Sequence, residues 1–131
     1  MSLLVLIGID VVEIKRVEVA IRRSGTHFVN RICTENEVAY YQHKGDRRFL
    51  EGVAALFAAK EAVKKLFLQK EINPGWKSIT IIHNSSGKPA VFLSDVSFST
   101  VFDSISLSLS HTREYVIAAA VGVNEPQRAV L

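Results

Sequence analysis

One long helical stretch constrains this chain more than any other feature, because it lacks a broad polar face. Its centre reads FAAKEAVKKL over residues 57–66. At 3.6 residues per turn, bulky apolar side chains fill one wide arc of this helix, and small alanines cover most of the remainder. A helix that is apolar nearly all round must be enclosed by protein. We therefore expect the rest of the chain to fold around it.

Charged residues on this helix have two interpretations. Glu61 and Lys65 lie four residues apart, so they are neighbours on one face, beside alanines that let another group approach closely. The simpler interpretation is a surface ion pair worth roughly a few tenths of a kcal/mol. The alternative makes Glu61 a metal ligand or base, and Lys65 a group that binds phosphate or donates a proton. Lys60 and Lys64 also fall within the apolar arc, and the helix alone does not decide between the two interpretations.

The length and composition of the chain predict one domain covering residues 1–131. With 48% hydrophobic and 22% charged residues, the chain can build one substantial core and is too short for two comfortable domains. The single cysteine, Cys33, excludes an intrachain disulfide and fits a reducing compartment. The apolar stretch from Leu3 to Ile9 is too short to cross a bilayer and predicts a buried strand. We therefore expect a cytoplasmic protein without a membrane segment.

Basic residues concentrate in a predicted short helix from Ile14 to Arg23, which Ser24-Gly25 ends. The formal net charge of +3 indicates an acidic partner, and this helix holds four of the basic residues: Lys15, Arg16, Arg22 and Arg23. No aromatic residue is interleaved with them, as a surface for single-stranded nucleic acid would require, so nucleic-acid binding is not expected. A solvated helix face and a docking surface for an acidic partner both remain open.

A carboxylate follows the first predicted strand and needs a partner. Asp10 comes directly after Ile9, and an acid left buried and alone there would be costly. We expect Asp10 to cap a helix, to pair with a cation or to bind a metal ion. Downstream, Thr34 and Glu37 form a capping-box pattern for a helix that runs to about Lys44.

The remaining turn and capping residues predict two pairs of strands and the bounds of the long helix. Asp46 can cap that helix, which extends to about Lys70. A hairpin is predicted from the strands Ser78–His83 and Ala90–Leu93, and a second pair from Ser104–Ser110 and Tyr115–Val123. Between the pairs, the segment 95–103 is compatible with a short helix, and a loose tail is predicted over 124–131.

Several familiar chemistries lack their patterns here. There is no Gly-rich phosphate loop, and the four histidines lack the spacing of a compact zinc motif. Ser110 and His111 cannot act as nucleophile and base, because adjacent strand residues point to opposite faces. What remains is two carboxylates that suit Mg²⁺, together with Lys65 and His111, which suit a phosphate. Sequence spacing leaves open whether these groups converge.

Five segments resemble, in order and spacing, the holo-acyl-carrier-protein synthases, which are small bacterial 4′-phosphopantetheinyl transferases. They are GIDVVEI (8–14), FVNRICTENE (28–37), FAAKEAVKKL (57–66), GKP (87–89) and SLSHTREYVIAAAV (108–121). The resemblance implies a compact α+β domain with a largely antiparallel sheet packed around one long central helix. It also implies a homotrimer with active sites between subunits.

The resemblance further implies transfer of 4′-phosphopantetheine from coenzyme A to a serine of apo-acyl carrier protein, releasing adenosine 3′,5′-bisphosphate. By the family pattern, Asp10 and Glu61 hold Mg²⁺, with Mn²⁺ as an alternative, and Glu61 or a metal-bound water removes the serine proton. Lys65 neutralises or protonates the departing phosphate, and His111 contacts the coenzyme A phosphates. Arg16, with Arg22 and Arg23 nearby, matches the region that docks the acidic carrier protein.

The chain departs from the family pattern in two places near the expected coenzyme A site. Leu56 stands where an arginine is usual, and residues 66–71 replace a short Gly-Thr-Gly segment. The rival to an enzyme is a catalytically impaired paralogue that only binds a carrier protein. That rival predicts loss of the acid pair or of the lysine, yet Asp10, Glu61 and Lys65 are all present. The pattern therefore favours the enzyme.

Overall fold

The chain begins with one strand, continues through four helices and ends with two pairs of strands, in a computed structural model that describes residues 2–126. The strands are β1 (Leu4–Glu13), β2 (Ile79–His83), β3 (Pro89–Leu93), β4 (Ser104–His111) and β5 (Tyr115–Asn124). The helices are α1 (Ile14–Ser24), α2 (Thr26–Ile32), α3 (Glu35–Tyr41), α4 (Asp46–Leu68) and α5 (Val96–Ser99), and a 3₁₀ turn covers Trp76–Ser78. No helix within 2–126 is both long and apolar enough to traverse a lipid bilayer.

The long helix α4 runs through the centre of the fold, as predicted. Ala54, Ala58, Ala59 and Ala62 are fully buried, so neighbouring elements approach its axis closely. The prediction that Asp46 caps this helix is wrong, because the cap position is Gly45, at a positive φ of 94° that glycine adopts readily. Asp46 instead lies in the first turn, where its charge still favours the helix N-terminus.

The sheets are antiparallel, and the predicted α+β architecture is confirmed. One sheet has the strand order β1-β5-β4, and β2 pairs with β3 in a separate hairpin. In the three-stranded sheet, Asp10 lies opposite Ala118, which lies opposite Leu109. Helix α4 packs on the face of β1 that carries Gly8 and Val12. The site residues on β1 therefore meet the central helix.

The prediction that the first strand is buried is wrong for one of its two faces. Ile7, Ile9 and Val11 are 64%, 59% and 61% exposed, and Ile117 on the adjacent strand β5 is 43% exposed. The reason is that α4 covers only one side of the sheet, while the apolar residues of β1 occupy both sides. Asp10 also lies inside β1 rather than after it, because the pairing with β5 continues to Glu13.

Most remaining elements agree with the sequence, with shifted ends. The capping box is present, since the Thr34 amide donates to Glu37 Oε1 at 2.8 Å and the Glu37 amide donates to Thr34 Oγ1 at 3.3 Å. Its helix stops at Tyr41, before the predicted Lys44. Asn124 closes β5 instead of opening a tail, and residues 127–131 of the predicted tail lie outside the described residues.

Lys60 has a role that the sequence did not indicate. Its ammonium group is buried, and it donates to Glu37 Oε1 and to the Ile32 carbonyl, both at 2.7 Å, and to the Trp76 carbonyl at 3.1 Å. The helical projection placed this lysine in the apolar arc, but its partner lies on α3. A buried ion pair therefore joins the central helix to the segments around it.

Candidate active site

Asp10, Glu61 and Lys65 come together where the middle of β1 meets the C-terminal half of α4. Lys65 Nζ donates to the Ile9 carbonyl at 2.7 Å and to Asp10 Oδ1 at 3.2 Å. Glu61 lies one helical turn before Lys65. Burial, and after it the negative charge of Asp10, raise the pKa of Glu61, against the opposing charges of Lys65 and Lys64. The acid on the strand therefore influences the acid on the helix directly.

The surface ion pair between Glu61 and Lys65 does not form. Lys65 pairs with Asp10 instead, and Glu61 makes no ion pair or side-chain hydrogen bond within residues 2–126. Glu61 is thus a partly buried carboxylate beside a second carboxylate, with its oxygen atoms available to a ligand. The simpler interpretation, an ion pair within the helix, is therefore wrong, and the functional one stays a prediction.

Gly8 makes this arrangement possible, a role that sequence reasoning missed. A Cβ atom at this position would overlap the Ala62 carbonyl oxygen and would lie 3.3 Å from Lys65 Cβ. The glycine therefore lets β1 approach the backbone of α4. Because Asp10 lies two residues on and points to the same face, this close approach brings its carboxylate to the helix. In the sequence, the glycine of the GID segment is the signal that could have indicated this close approach.

The donor set suits a hard divalent cation but is incomplete by itself. Within residues 2–126 no group of three or more His, Cys, Asp or Glu side chains could hold a metal ion. Asp10 and Glu61 supply carboxylate oxygens, which Mg²⁺ prefers, and this ion commonly fills its remaining positions with water and substrate phosphate. The raised pKa of Glu61 fits such a site, because a bound cation would relieve the repulsion between the two acids.

His111 lies elsewhere on the same face of the sheet. Its Nε2 is 4.0 Å from Glu51 Oε2 on α4, and its side chain is exposed. The strand that carries it is two strands from β1, about 10 Å across the sheet, and Glu51 is about 15 Å along the helix axis from Glu61. One copy of the chain therefore does not bring His111 to the acid pair.

A basic cleft surrounds His111. It has a volume of about 1060 Å³ and lies between β4, the N-terminal half of α4 and the turn of the β2–β3 hairpin. Three cations line it, namely Lys44, Arg48 and Lys88, together with one acid, Glu51. Lys88 belongs to the GKP segment, but sequence reasoning did not connect Lys44 and Arg48 with the site. The cleft is suited to an anionic ligand.

Arg16 lies beside Asp10, at a small groove. This groove of about 270 Å³ is lined by both residues and by Val17, Phe28 and Phe57. It thus offers an apolar floor with an arginine at its edge, next to the acid pair. The other two predicted docking residues, Arg22 and Arg23, lie in the last turn of α1, where Arg22 pairs with Glu18 at 3.5 Å.

The two departures from the family pattern are built into the core. Leu56 is 2% exposed and lines a separate cavity together with Tyr40 and Tyr41, and it does not line the basic cleft. Leu66 and Phe67 are fully buried and continue α4 past Lys65. The following residue Gln69 donates to the carbonyls of Ile7 and Lys65, at 3.0 and 3.2 Å. Both changes leave the Asp10–Glu61–Lys65 cluster intact.

Comparisons with known proteins identify the family of this chain. A family model described as the 4′-phosphopantetheinyl transferase superfamily matches residues 6–120. The chain is 37% identical over 118 residues to a holo-[acyl-carrier-protein] synthase of Chloroherpeton thalassium, covering 88% of this chain and 94% of the relative. It is 42% identical over 119 residues to the synthase of Clostridium beijerinckii, with the same two coverages of 88% and 94%.

Solved structures extend the likeness to three dimensions. The crystal structure of a holo-(acyl-carrier-protein) synthase from Bacillus anthracis in complex with CoA (3′,5′-ADP) matches with a TM-score of 0.78 and 31% identity, covering 95% of this chain and 100% of that one. The Helicobacter pylori synthase in complex with coenzyme A matches with a TM-score of 0.76 and 29% identity, covering 91% and 100%. The chain therefore belongs to the holo-acyl-carrier-protein synthase family of the 4′-phosphopantetheinyl transferase superfamily.

Proposed function

We propose that this chain transfers 4′-phosphopantetheine from coenzyme A to a serine hydroxyl of apo-acyl carrier protein. The observation that carries the proposal is the Asp10–Glu61–Lys65 cluster, which combines two carboxylates and an ammonium group at one junction. The relatives from B. anthracis and H. pylori hold coenzyme A or its nucleotide part. We place the reaction in the cytoplasm, the compartment predicted from the sequence.

In this reaction the serine oxygen bonds to the phosphorus that carries pantetheine, and the bond from that phosphorus to the bridging oxygen breaks. Adenosine 3′,5′-bisphosphate departs. Glu61 accepts the serine proton, and Lys65 neutralises charge on the departing phosphate. Asp10 and Glu61 would hold Mg²⁺, or Mn²⁺ in its place, which supplies further charge neutralisation on the pyrophosphate when bound.

The basic cleft around His111 is the proposed place for the nucleotide phosphates. Lys44, Arg48 and Lys88 line it together with this histidine, and cations with polar hydrogens are the groups that recognise phosphate. Since this cleft and the acid pair lie apart in one chain, we infer that each complete site forms between two copies, and the family resemblance implies that these copies belong to a homotrimer. Cleft and acid pair would then come from neighbouring subunits.

The exposed face of β1 and β5 supports this assembly, because contiguous apolar surface of this kind commonly marks an interface. Ile9→Lys should turn the trimer into monomers and abolish turnover, since a charge would be buried at the contact. Sedimentation velocity measures the first effect, and Val96→Lys, at a similarly exposed residue on α5, is the control. An active wild-type monomer would contradict the inference.

The basic helix is the proposed docking surface for the acidic carrier protein. Arg16→Glu should raise KM for the carrier protein roughly tenfold and leave KM for coenzyme A nearly unchanged, because Arg16 borders the groove beside Asp10 and not the basic cleft. Lys15→Glu makes the same charge change on the same helix without lining the groove, and its effect should be smaller. An unchanged KM for the carrier protein would remove Arg16 from the interface.

The transferase reaction itself is tested with apo-acyl carrier protein, coenzyme A and Mg²⁺. Intact-mass spectrometry should show a phosphopantetheine adduct on the carrier protein, and its formation should stop when the metal is chelated. If folded protein yields no adduct on any carrier from the same organism but still binds one, the chain is a binding module and not an enzyme.

A further inference from the structure

We propose that the buried Glu37–Lys60 pair is a positioning unit for the active site. It fixes the rotation of the α4 turn that carries Phe57 and Glu61, and it ties the surrounding segments to that turn. The inference rests on the proposed function, because it takes Glu61 as a group that acts in the transfer reaction. Neither Glu37 nor Lys60 touches the reacting atoms, so both act through their neighbours.

The pair is fully buried and its hydrogen bonds are complete. The exposed fractions of the Lys60 and Glu37 side chains are 0% and 1%. The three hydrogens of Lys60 Nζ have three acceptors in Glu37 Oε1 and the carbonyls of Ile32 and Trp76. The other carboxylate oxygen, Glu37 Oε2, accepts the amide of Ile81 at 2.7 Å. The pair therefore connects α2, α3, α4, the 3₁₀ turn and β2.

Such a pair is not explained by stability alone. Well-packed apolar residues of similar volume often stabilise a core as well as a buried ion pair does, or better. What the pair adds is a defined geometry. The ammonium group can donate to all three acceptors at once only when the surrounding segments are arranged as they are here. The Lys60 side chain thereby fixes how far α4 is rotated about its own axis.

This rotation determines where Glu61 points. Adjacent helical residues are about 100° apart around the axis, so anchoring Lys60 in the core sets the direction of the next side chain toward β1. Asp10 is carried by β1, where its backbone is held by the antiparallel pairing with Ala118 of β5. A small rotation of α4 would therefore change the separation of the two acids, on which any shared ligand depends.

The carbonyl partners of Lys60 extend this control to the groove beside Asp10. The ring of Trp76 stacks on Phe57 with centroids 5.3 Å apart, and Phe57 stacks on Phe28 at 6.1 Å. Lys60 holds the backbone of Trp76 and the end of α2, the helix that carries Phe28. The same pair thus sets both the direction of Glu61 and the floor of the groove where Arg16 lies.

The test removes both charges together, because a single substitution would leave one buried charge unpaired. In Glu37→Met/Lys60→Met we expect a folded protein in which kcat is about tenfold to a hundredfold lower, since a small misplacement of acting groups has effects of that size. KM for coenzyme A should stay within about twofold, because neither residue lines the basic cleft. Circular dichroism and thermal unfolding report on folding separately from the kinetics.

Lys64→Met is the matched control. Lys64 lies one turn after Lys60, donates to the Pro74 carbonyl and to Asn73 Oδ1, and lies over the Trp76 ring. It therefore binds the same loop, but from the surface. Its replacement should leave kcat within about twofold, since it does not set the rotation of the helix.

The outcomes separate the inference from the proposed function. A folded double variant with wild-type kcat overturns the positioning role, and so does a loss of kcat that Lys64→Met reproduces. If Glu61→Gln keeps full turnover, the assignment of Glu61 fails first, and the inference fails with it. If the double variant does not fold, Lys60→Arg decides, because it keeps the charge but cannot reproduce the geometry. Wild-type kcat in folded Lys60→Arg would then overturn the role.

Discussion

Glu61→Gln is expected to lower turnover at least about a hundredfold while leaving the protein folded. The amide cannot accept the serine proton and is a weaker ligand for a divalent cation than the carboxylate. Lys65→Ala should also depress turnover strongly, because it removes the cation beside the departing phosphate. Single-turnover assays with saturating coenzyme A and apo-acyl carrier protein measure both effects.

The stability of Glu61→Gln should be equal to that of the wild type or higher at neutral pH. Because the pKa of Glu61 is raised in the folded state, the folded protein holds this proton more tightly than the unfolded chain does. Ionisation of the carboxyl above that pKa therefore opposes folding, and the amide removes the effect. Glu35→Gln, on the exposed first turn of α3, is the control: turnover should not change, and stability should fall by about 0.3–1 kcal/mol as a favourable charge at the helix N-terminus is lost. Near-normal turnover in Glu61→Gln would show that this carboxylate has no part in the reaction.

Gly8→Ala should destabilise the protein by about 2–3 kcal/mol and lower turnover about tenfold or more. The added Cβ overlaps the Ala62 carbonyl oxygen, which is part of the backbone of α4 and cannot rotate away. Strand and helix must therefore separate, and Asp10 moves away from Glu61 with the strand. Urea unfolding measures the loss of stability, and the transfer assay measures the loss of turnover.

Gly75→Ala is the matched control for this substitution. Gly75 has φ of −69°, and the nearest atom to an added Cβ would be Ser78 Oγ at 3.7 Å, an ordinary contact. Alanine there should be neutral, or should stabilise by about 0.4–1 kcal/mol through the unfolded state. Equal stabilities for the two variants would show that β1 and α4 can separate without loss.

Local sequence patterns predicted most elements, but not the partners of the charged residues. The spacing of Glu61 and Lys65 is compatible with an ion pair within the helix, and the actual partner of Lys65 lies on β1, where Gly8 sets the approach. Lys60 is a similar case. The sequence pattern indicated that Glu37 caps α3, but it did not indicate that the same carboxylate is the buried counterion of Lys60. Contacts between residues far apart in sequence depend on how the elements pack, and one sequence does not encode them as a local pattern.

The two faces of β1 show a second limit. A run of apolar residues predicts burial, but it does not say whether the covering surface comes from the same chain. Ile7 and Ile9 are as apolar as core residues and yet are exposed in one copy. By contrast, the chemistry of Asp10, Glu61, Lys65 and His111 marked them as candidates, and the family resemblance then implied their roles and an assembly of several copies, which periodicity cannot indicate.

The hydrogen bonds from Lys65 and Gln69 to β1 have a consequence for solubility. β1 is an edge strand with a strongly apolar sequence, the type that pairs with foreign strands and starts aggregation. The carbonyl of Ile9 accepts a hydrogen bond from Lys65 on α4, and that of Ile7 accepts one from Gln69 just after this helix, so these positions are not open to another strand. The lysine that we propose acts on the departing phosphate thus also protects the strand beside it from misassembly.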